Sequence, residues 1–519
     1  MNAFFLNSNI LSKGFPSLIF LFWTSCIIAQ PDIIWQNSLG GTLNDEAQSS
    51  AVTEDGGIIL AGFTESNDGN VTGNHGGKDY WVVKLDASGV LEWEKAFGGS
   101  ADDRANSIIQ TADGGYMVAG STASNDGDVS SNHGSRDFWV LKLDSAGNIV
   151  WEQTYGGTNN DDAQAIIQTA DGGYMVAGNS YSSNGDVGAN NGIQDYWMVK
   201  IDPAGAIEWE NNYGGSAIEY VWAIKQTSDN GYILVGDSES SDGDVSGNQG
   251  LSDYWIVKTD SFGALQWQHD YGGSERERPK DVIQTDDGGY LVVGASESSD
   301  GDIGNHYDWY DVWILKLDAS GNLDWEKSYG GSFGDFGEAI IPTDAGNYLI
   351  GTSSQSSDGD VGNNHGNFDC WVFQINATGN IAWERSYGGS HHDYINAIGL
   401  NDSGNLLFAG YSYSDDGEIT GNHGASDFIS IQLESLLSSP EVSIVPIELY
   451  PNPVANSLNI KSGVPVTEIS ISNLLGQQVF YKRDTDISSL NLENLSKGAY
   501  FLTATLQEGR TFTQKILKQ

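Results

Sequence analysis

Seven tryptophans, Trp35, Trp93, Trp151, Trp209, Trp267, Trp325 and Trp383, stand 58 residues apart, and each is followed five residues later by Gly-Gly. A period of that length, held seven times without an insertion, marks a repeat architecture. One unit cannot bury both of its faces alone, so the units have to stack on one another. In the copy beginning at Asp102, "ANSIIQT" reads as a first strand and the turn "ADGG" leads into a second, "YMVAGST". After a long loop, "DFWVLKL" is a third strand, and "DSAGN" turns the chain into a fourth, "IVWEQTYGG". Alternating apolar and β-branched residues bounded by Gly, Asp and Asn support strands and hairpins throughout.

Four antiparallel strands repeated seven times predict an all-β chain whose residues 30–435 form a seven-bladed β-propeller. A membrane barrel made of the same strands would need an outward apolar band, whereas both residue sets of these strands mix Trp, Val and Lys. The repeats open with a lone fourth strand, "DIIWQNSLGG", and end on a third, "DFISIQL". The N-terminal strand is therefore expected to complete the last blade and remove its free edge. The segment "KLDASGVLEW" and its copies resemble the tryptophan-docking motif of quinoprotein-like propellers, in which an Asp, a turn Gly and a Trp lock neighbouring blades. The resemblance implies packing roles for the seven periodic Trp and for Trp81, Trp139, Trp197, Trp255, Trp313 and Trp371. It implies nothing about quinone chemistry.

Outside the repeats the chain changes character twice. Residues 1–29 contain the apolar run "SLIFLFWTSCIIA" behind Lys13 and read as a signal peptide cleaved after Ala29. A lipoprotein role for Cys26 is the alternative, and Trp23 argues against it. Cleavage leaves Cys370 as the single cysteine, so no intrachain disulfide supports the fold. No other apolar stretch has membrane-spanning length. Residues 436–446, rich in Ser and Pro, read as a linker, and residues 447–519 as a small β-sandwich. Its segments "LYPNPVANSLNI", "ISISNLLGQQVF" and "LENLSKGAYFLTATLQEGRTFTQKILK" resemble the type A C-terminal sorting domain of the type IX secretion system. The matching points are Tyr450-Pro451-Asn452-Pro453, Leu475-Gly476-Gln477, Gly498-Ala499-Tyr500, Lys515 and Lys518. The resemblance implies export by that machinery, with release from the cell or attachment at its surface.

The net charge of −47 excludes nucleic acid as a natural partner and makes cation binding plausible. The long loop between second and third strands places acids or amides at its first and third positions and Asp at its twelfth, the oxygen offsets of a calcium loop. The candidate calcium ligands, blade by blade, are Asp68, Asn70 and Asp79; Asp126, Asp128 and Asp137; Asp242, Asp244 and Asp253; Asp300, Asp302 and Asp311; Asp358, Asp360 and Asp369; and Asp416, Glu418 and Asp427. The competing reading is an Asp/Gly/Asn turn whose side chains cap the backbone. An acid recurs at the start of each first strand, as Asp45, Asp103, Asp161, Glu219, Glu277, Asp335 and Asp393, and reads best as a turn cap.

A ligand that breaks sevenfold symmetry needs residues that differ between blades. Arg104, Tyr220, Arg278, Phe336 and Tyr394 vary just after that acid, and Trp222 and Trp309 are the mature tryptophans outside the periodic columns. Aromatics with arginine on a rim suit carbohydrate or protein ligands. The first expectation is thus an exported binding or scaffold module. A glycan-active enzyme, with Glu277 or Asp335 to be tested, and a purely structural surface protein are the alternatives. No distinct nucleophile–base set or zinc motif stands out.

Overall fold

The computed structural model describes residues 31–519 except 308, 344–345, 436–447, 463–464, 474–476 and 507–510. The signal peptide, the linker and Leu475-Gly476 of the sorting segment fall outside the described residues. Every named element is a strand. Seven four-stranded antiparallel sheets follow in chain order, each built from consecutive strands except one. That one joins Ile33–Leu39 to Asp427–Leu433, Leu406–Ser412 and Asp393–Leu400, so the N-terminal strand closes the seventh blade as its outer strand. Arg385 Nη1 and the Tyr387 hydroxyl both donate to the Pro31 carbonyl, at 2.9 and 3.0 Å, pinning the entry of that strand.

The burial pattern shows why the repeat folds this way. The second and third strands of a blade, such as Tyr116–Thr122 and Asp137–Leu143, are buried at every position and read as continuous apolar runs. The outer strands, such as Leu91–Phe97, keep one wet face. Trp81, Trp139, Trp197, Trp255, Trp313 and Trp371 are wholly buried. Each satisfies its indole N–H on an acid or amide of the outer strand, as Trp139 does on Glu152 at 2.9 Å. Their faces meet the next blade: the Tyr80 ring lies 4.6 Å from that of Trp139, and the Tyr80 hydroxyl donates to the Trp139 carbonyl at 3.0 Å. The period-setting tryptophans lie over the neighbouring blade's turn, where a Cβ on Gly147 would come 2.8 Å from the Trp93 ring.

The Gly-Gly pair has an equally direct cause. A Cβ on Gly98 would stand 2.7 Å from Asp79 Oδ1 and 2.7 Å from Asp103 Oδ2, so its bare Cα separates two buried carboxylates from adjacent blades. The second glycine of each pair packs under the first acid of the long loop, as Gly273 does beside Asp300.

One backbone irregularity positions the candidate site. Every inner strand shifts register at the same place, between Ala47 and Ser49, Ala105 and Ser107, Ala163 and Ala165, Val221 and Ala223, Pro279 and Asp281, Gly337 and Ala339, and Ile395 and Ala397. The extra residue of this β-bulge leaves the ladder and re-aims its side chain.

The C-terminal unit has a three-stranded sheet of Glu448–Tyr450, Ser457–Lys461 and Ser489–Asn491 and a four-stranded sheet centred on Val466–Asn473 and Gly498–Leu506. Leu449, Leu458 and Ile460 from the first sheet share one core with Ile469, Ile471 and Leu502 from the second, which makes it a small sandwich. The Asn452 side chain clips the last strand, donating to the Lys515 carbonyl and accepting from the Leu517 N–H, both at 2.9 Å.

Candidate functional site

The bulge residues Gln48, Asn106, Gln164, Trp222, Lys280, Glu338 and Asn396 line the channel on the propeller axis, a cavity of about 430 Å³. In two blades the residue is an asparagine that ties neighbouring inner strands together, Asn106 Nδ2 donating to the Ala163 carbonyl and Asn396 Nδ2 to that of Ala47, both at 2.8 Å. Blades four to six replace the amide. The Lys280 ammonium lies 3.6 Å from the centre of the Trp222 ring and 3.7 Å from Glu338 Oε2. Trp222 Nε1 donates to Asp237 Oδ1 at 2.8 Å, and the Tyr220 ring packs on Trp222 at 4.6 Å. Burial raises the pKa of Glu338, and Lys280 opposes the shift. Burial likewise raises Asp237 to about 6, against Trp222, Arg278 and Lys280.

On the face where the long loops emerge, a chain of rings runs over blades five to seven. Tyr310 lies 5.1 Å from Phe336, Phe336 is 5.9 Å from Phe368, Phe368 is 5.3 Å from Tyr394, and Tyr394 is 4.8 Å from Tyr411. His392 stacks parallel to Tyr394, and Tyr413 meets Tyr411 edge-on. The Arg278 guanidinium sits over Tyr310, 5.9 Å from its centroid. Trp222, Arg278, Lys280, Ala295, Phe336, Gly337 and Glu338 enclose a recess of about 130 Å³ between the ring chain and the channel.

Of the residues singled out by sequence, Tyr220, Trp222, Arg278, Phe336 and Tyr394 thus fall on one arc. Arg104 lies apart, paired with Asp102 at 3.4 Å and placed over Phe63. Trp309 is 66% exposed on its loop, outside this chain of rings. Sequence reasoning missed Tyr310, Phe368, His392, Tyr411 and Tyr413. Their signal was available: each occupies a column in which other blades carry unrelated residues, Tyr411 standing where Phe63, Ser121 and Ala295 stand.

The acidic loop is assembled differently from a calcium loop. Asp126 Oδ1 accepts the Ser100 N–H at 2.7 Å and Asp128 Oδ2 accepts the Gly98 N–H at 3.2 Å, so positions one and three hold the Gly-Gly turn of their own blade. Asp68, Asp242, Asp300, Asp358 and Asp416 cap the equivalent N–H groups, and Asn70, Asp244, Asp302 and Asp360 the equivalent glycine. Glu418 instead accepts from Arg385 at 2.8 Å. Position twelve turns toward the next blade: Asp79 Oδ2 accepts the His75 backbone N–H, and its Oδ1 flanks Gly98 opposite Asp103. Asp137, Asp253, Asp311, Asp369 and Asp427 repeat the arrangement, each leaving a buried Oδ1 without a hydrogen bond. One loop therefore does not gather its three candidate ligands. A glycine Cα fills the gap between the paired carboxylates, and among the described residues no group of three or more His, Cys, Asp or Glu is arranged to hold a metal ion. The strand-start acids are caps as well: Glu277 accepts from the Gly273 N–H and the Ser296 hydroxyl at 2.9 Å each. Asp335 does the same with Gly331 and Ser354.

The fold and the tail together define an exported β-propeller protein. Residues 448–519 match the family described as "Secretion system C-terminal sorting domain", in agreement with the resemblance drawn from the motifs. Among curated proteins, "Regulatory protein FlaEY" of Caulobacter vibrioides is 25% identical over 212 residues, 37% of this chain and only 22% of that protein's own length. Among solved structures, the Pan2 WD40 domain of Neurospora crassa is similar over 77% of this chain and 96% of that one, with 11% identity and a TM-score of 0.43. Sqt1 from Chaetomium thermophilum is similar over 78% and 99%, with 10% identity and a TM-score of 0.40. No helix among the described residues is long and apolar enough to cross a membrane.

Proposed function

We propose that the exported propeller is a binding module, at the cell surface or released, that holds a glycan or protein ligand on the loop face of blades four to seven. The observation that carries this reading is the local break in symmetry. Seven inner strands share one bulge, yet only blades four to six fill it with Trp222, Lys280 and Glu338, and the adjoining ring chain is confined to blades five to seven. Residues that served the ring alone would recur in every blade. Half-exposed aromatics bordered by acids and arginines offer stacking area at low entropic cost, with polar groups to fix orientation. Delivery by the type IX machinery through residues 448–519 brings this face outside the cell.

The test is binding of the signal-free chain to immobilised polysaccharides and surface proteins, with turnover followed in parallel. Saturable binding without product, weakened at least tenfold by Trp222→Ala or Tyr394→Ala, is expected. Binding indifferent to both substitutions would remove this face from the reading. A glycan-active enzyme is the second reading, favoured only by the half-buried Glu338 at the channel wall, and its sign would be product formation lost in Glu338→Gln.

A further inference from the structure

Acidic side chains outnumber basic ones 70 to 23 in this protein, so an unpaired guanidinium is unusual. Arg104, Arg136 and Arg385 follow the norm, paired with Asp102, Asp162, and Asp32 and Glu418 respectively. Among the described residues Arg276 and Arg278 form no such pair, although Glu277 separates them in sequence and the Glu297 N–H donates to the Arg276 carbonyl at 2.9 Å. The Arg278 guanidinium lies over the Tyr310 ring, which places it at the end of the ring chain. Arg278 also walls the recess, with Phe336 and Trp222 beside it. Ala295, in the column where Phe63, Asp237 and Tyr411 stand in other blades, lines the recess and leaves room in it.

A guanidinium without a direct ion pair, set beside aromatic faces, selects a ligand with both a carboxylate and an apolar ring face. The surroundings choose between the two kinds of molecule that offer these. An acidic peptide would bring several carboxylates toward Asp237, Glu297 and Glu338 and into the field of a chain of net charge −47. A sugar acid set among neutral sugars brings one carboxylate among hydroxyls that can donate to those same acids. We propose that the recess takes a single hexuronic acid residue flanked by neutral sugars in a polysaccharide, its carboxylate held by Arg278 and its pyranose face on Phe336. The proposal rests on the binding reading above and names its ligand class.

Calorimetry of the full signal-free chain with trisaccharides carrying one galacturonate or one glucuronate between neutral sugars, each beside its methyl ester, tests it. At least one free acid is expected to bind about tenfold or more tighter than its ester, the size of one charge-assisted hydrogen bond. Arg278→Gln should erase that difference, rising salt should shrink it, and Arg136→Gln should leave it alone. Acid and ester binding equally, with both lost in Phe336→Ala, would overturn the carboxylate assignment and leave the glycan reading standing. If neither acid binds, the uronate assignment fails; the wider reading fails with it only if the polysaccharide and protein panel is also silent.

Discussion

At the residue scale, the invariant Gly-Gly and the variable bulge residue divide the work between fold and function. Gly98 lies between Asp79 Oδ1 and Asp103 Oδ2, each 2.7 Å from where a Cβ would sit. Both acids are buried and hydrogen-bonded on their other sides, so neither can move away cheaply. Gly98→Ala should cost about 2 kcal/mol, the scale of overpacking a rigid site, read as a lower urea midpoint with an unchanged slope. A stability equal to wild type would show that the carboxylates yield. Trp222→Ala should act in the opposite sense, changing stability little beyond its lost packing but weakening ligand binding, because its ring borders open cavity on the channel side.

At the scale of the element, each inter-blade seam holds a pair of buried carboxylates, and burial raises the pKa of at least one member of each. Burial raises Asp79, Asp161 and Asp335 to about 6, and Asp253, with Glu277 adding repulsion, to about 7. A carboxyl that holds its proton more tightly folded than unfolded stabilises fully below its ordinary pKa of 3.8, and that contribution is lost as pH rises through 6 to 7. Hairpin acids have the opposite sign. Asp113, hydrogen-bonded by Lys142 and Thr111, is held at about 2, so its contribution is present above 3.8 and lost as pH falls toward 2. The melting temperature at fixed ionic strength should therefore be higher near pH 5 than at pH 8 and should fall again below about pH 3. A steady rise from pH 5 to 8 in a calorimetric series would contradict the seam account. The loop geometry carries a related expectation. Calcium should raise the melting point no more than magnesium at equal ionic strength, since the acids of one loop point to separate partners. Saturable heat near one ion per blade would instead restore the loop as a cation site.

Across the whole molecule, ring closure depends on one short strand. Ile33–Leu39 covers the edge of Asp427–Leu433 through an antiparallel register that shifts once, between Ile33 and Trp35. Removing residues 31–39 should lower the melting temperature and leave that edge open to pair with a second chain. Sedimentation should then show association that grows with concentration, whereas a monomer of undiminished stability would mean that the blade stands on its three remaining strands.

The sequence alone settled the blade number, the strand order, the closing strand and the export tail. A 58-residue period with alternating apolar positions admits few ways to bury both faces, and the tail motifs are contiguous. It also placed Tyr220, Arg278, Phe336 and Tyr394 at equal positions of one rim, with Trp222 two residues beyond Tyr220, because the period puts equal offsets at equal places in the ring. The bulge was invisible, since an extra residue in a strand leaves no mark in composition and shows only as a shift in register. So was the loop's true architecture. Offsets of one, three and twelve look like one coordination sphere along the chain, yet position twelve belongs to the seam with the next blade. The ring chain of Tyr310, Phe336, Phe368, Tyr394 and Tyr411 came together through contacts across strands and across the two seams between blades five, six and seven. Periodicity fixes what every blade must share because each copy solves the same burial problem. Where the blades differ, only their packing in three dimensions decides which differences meet.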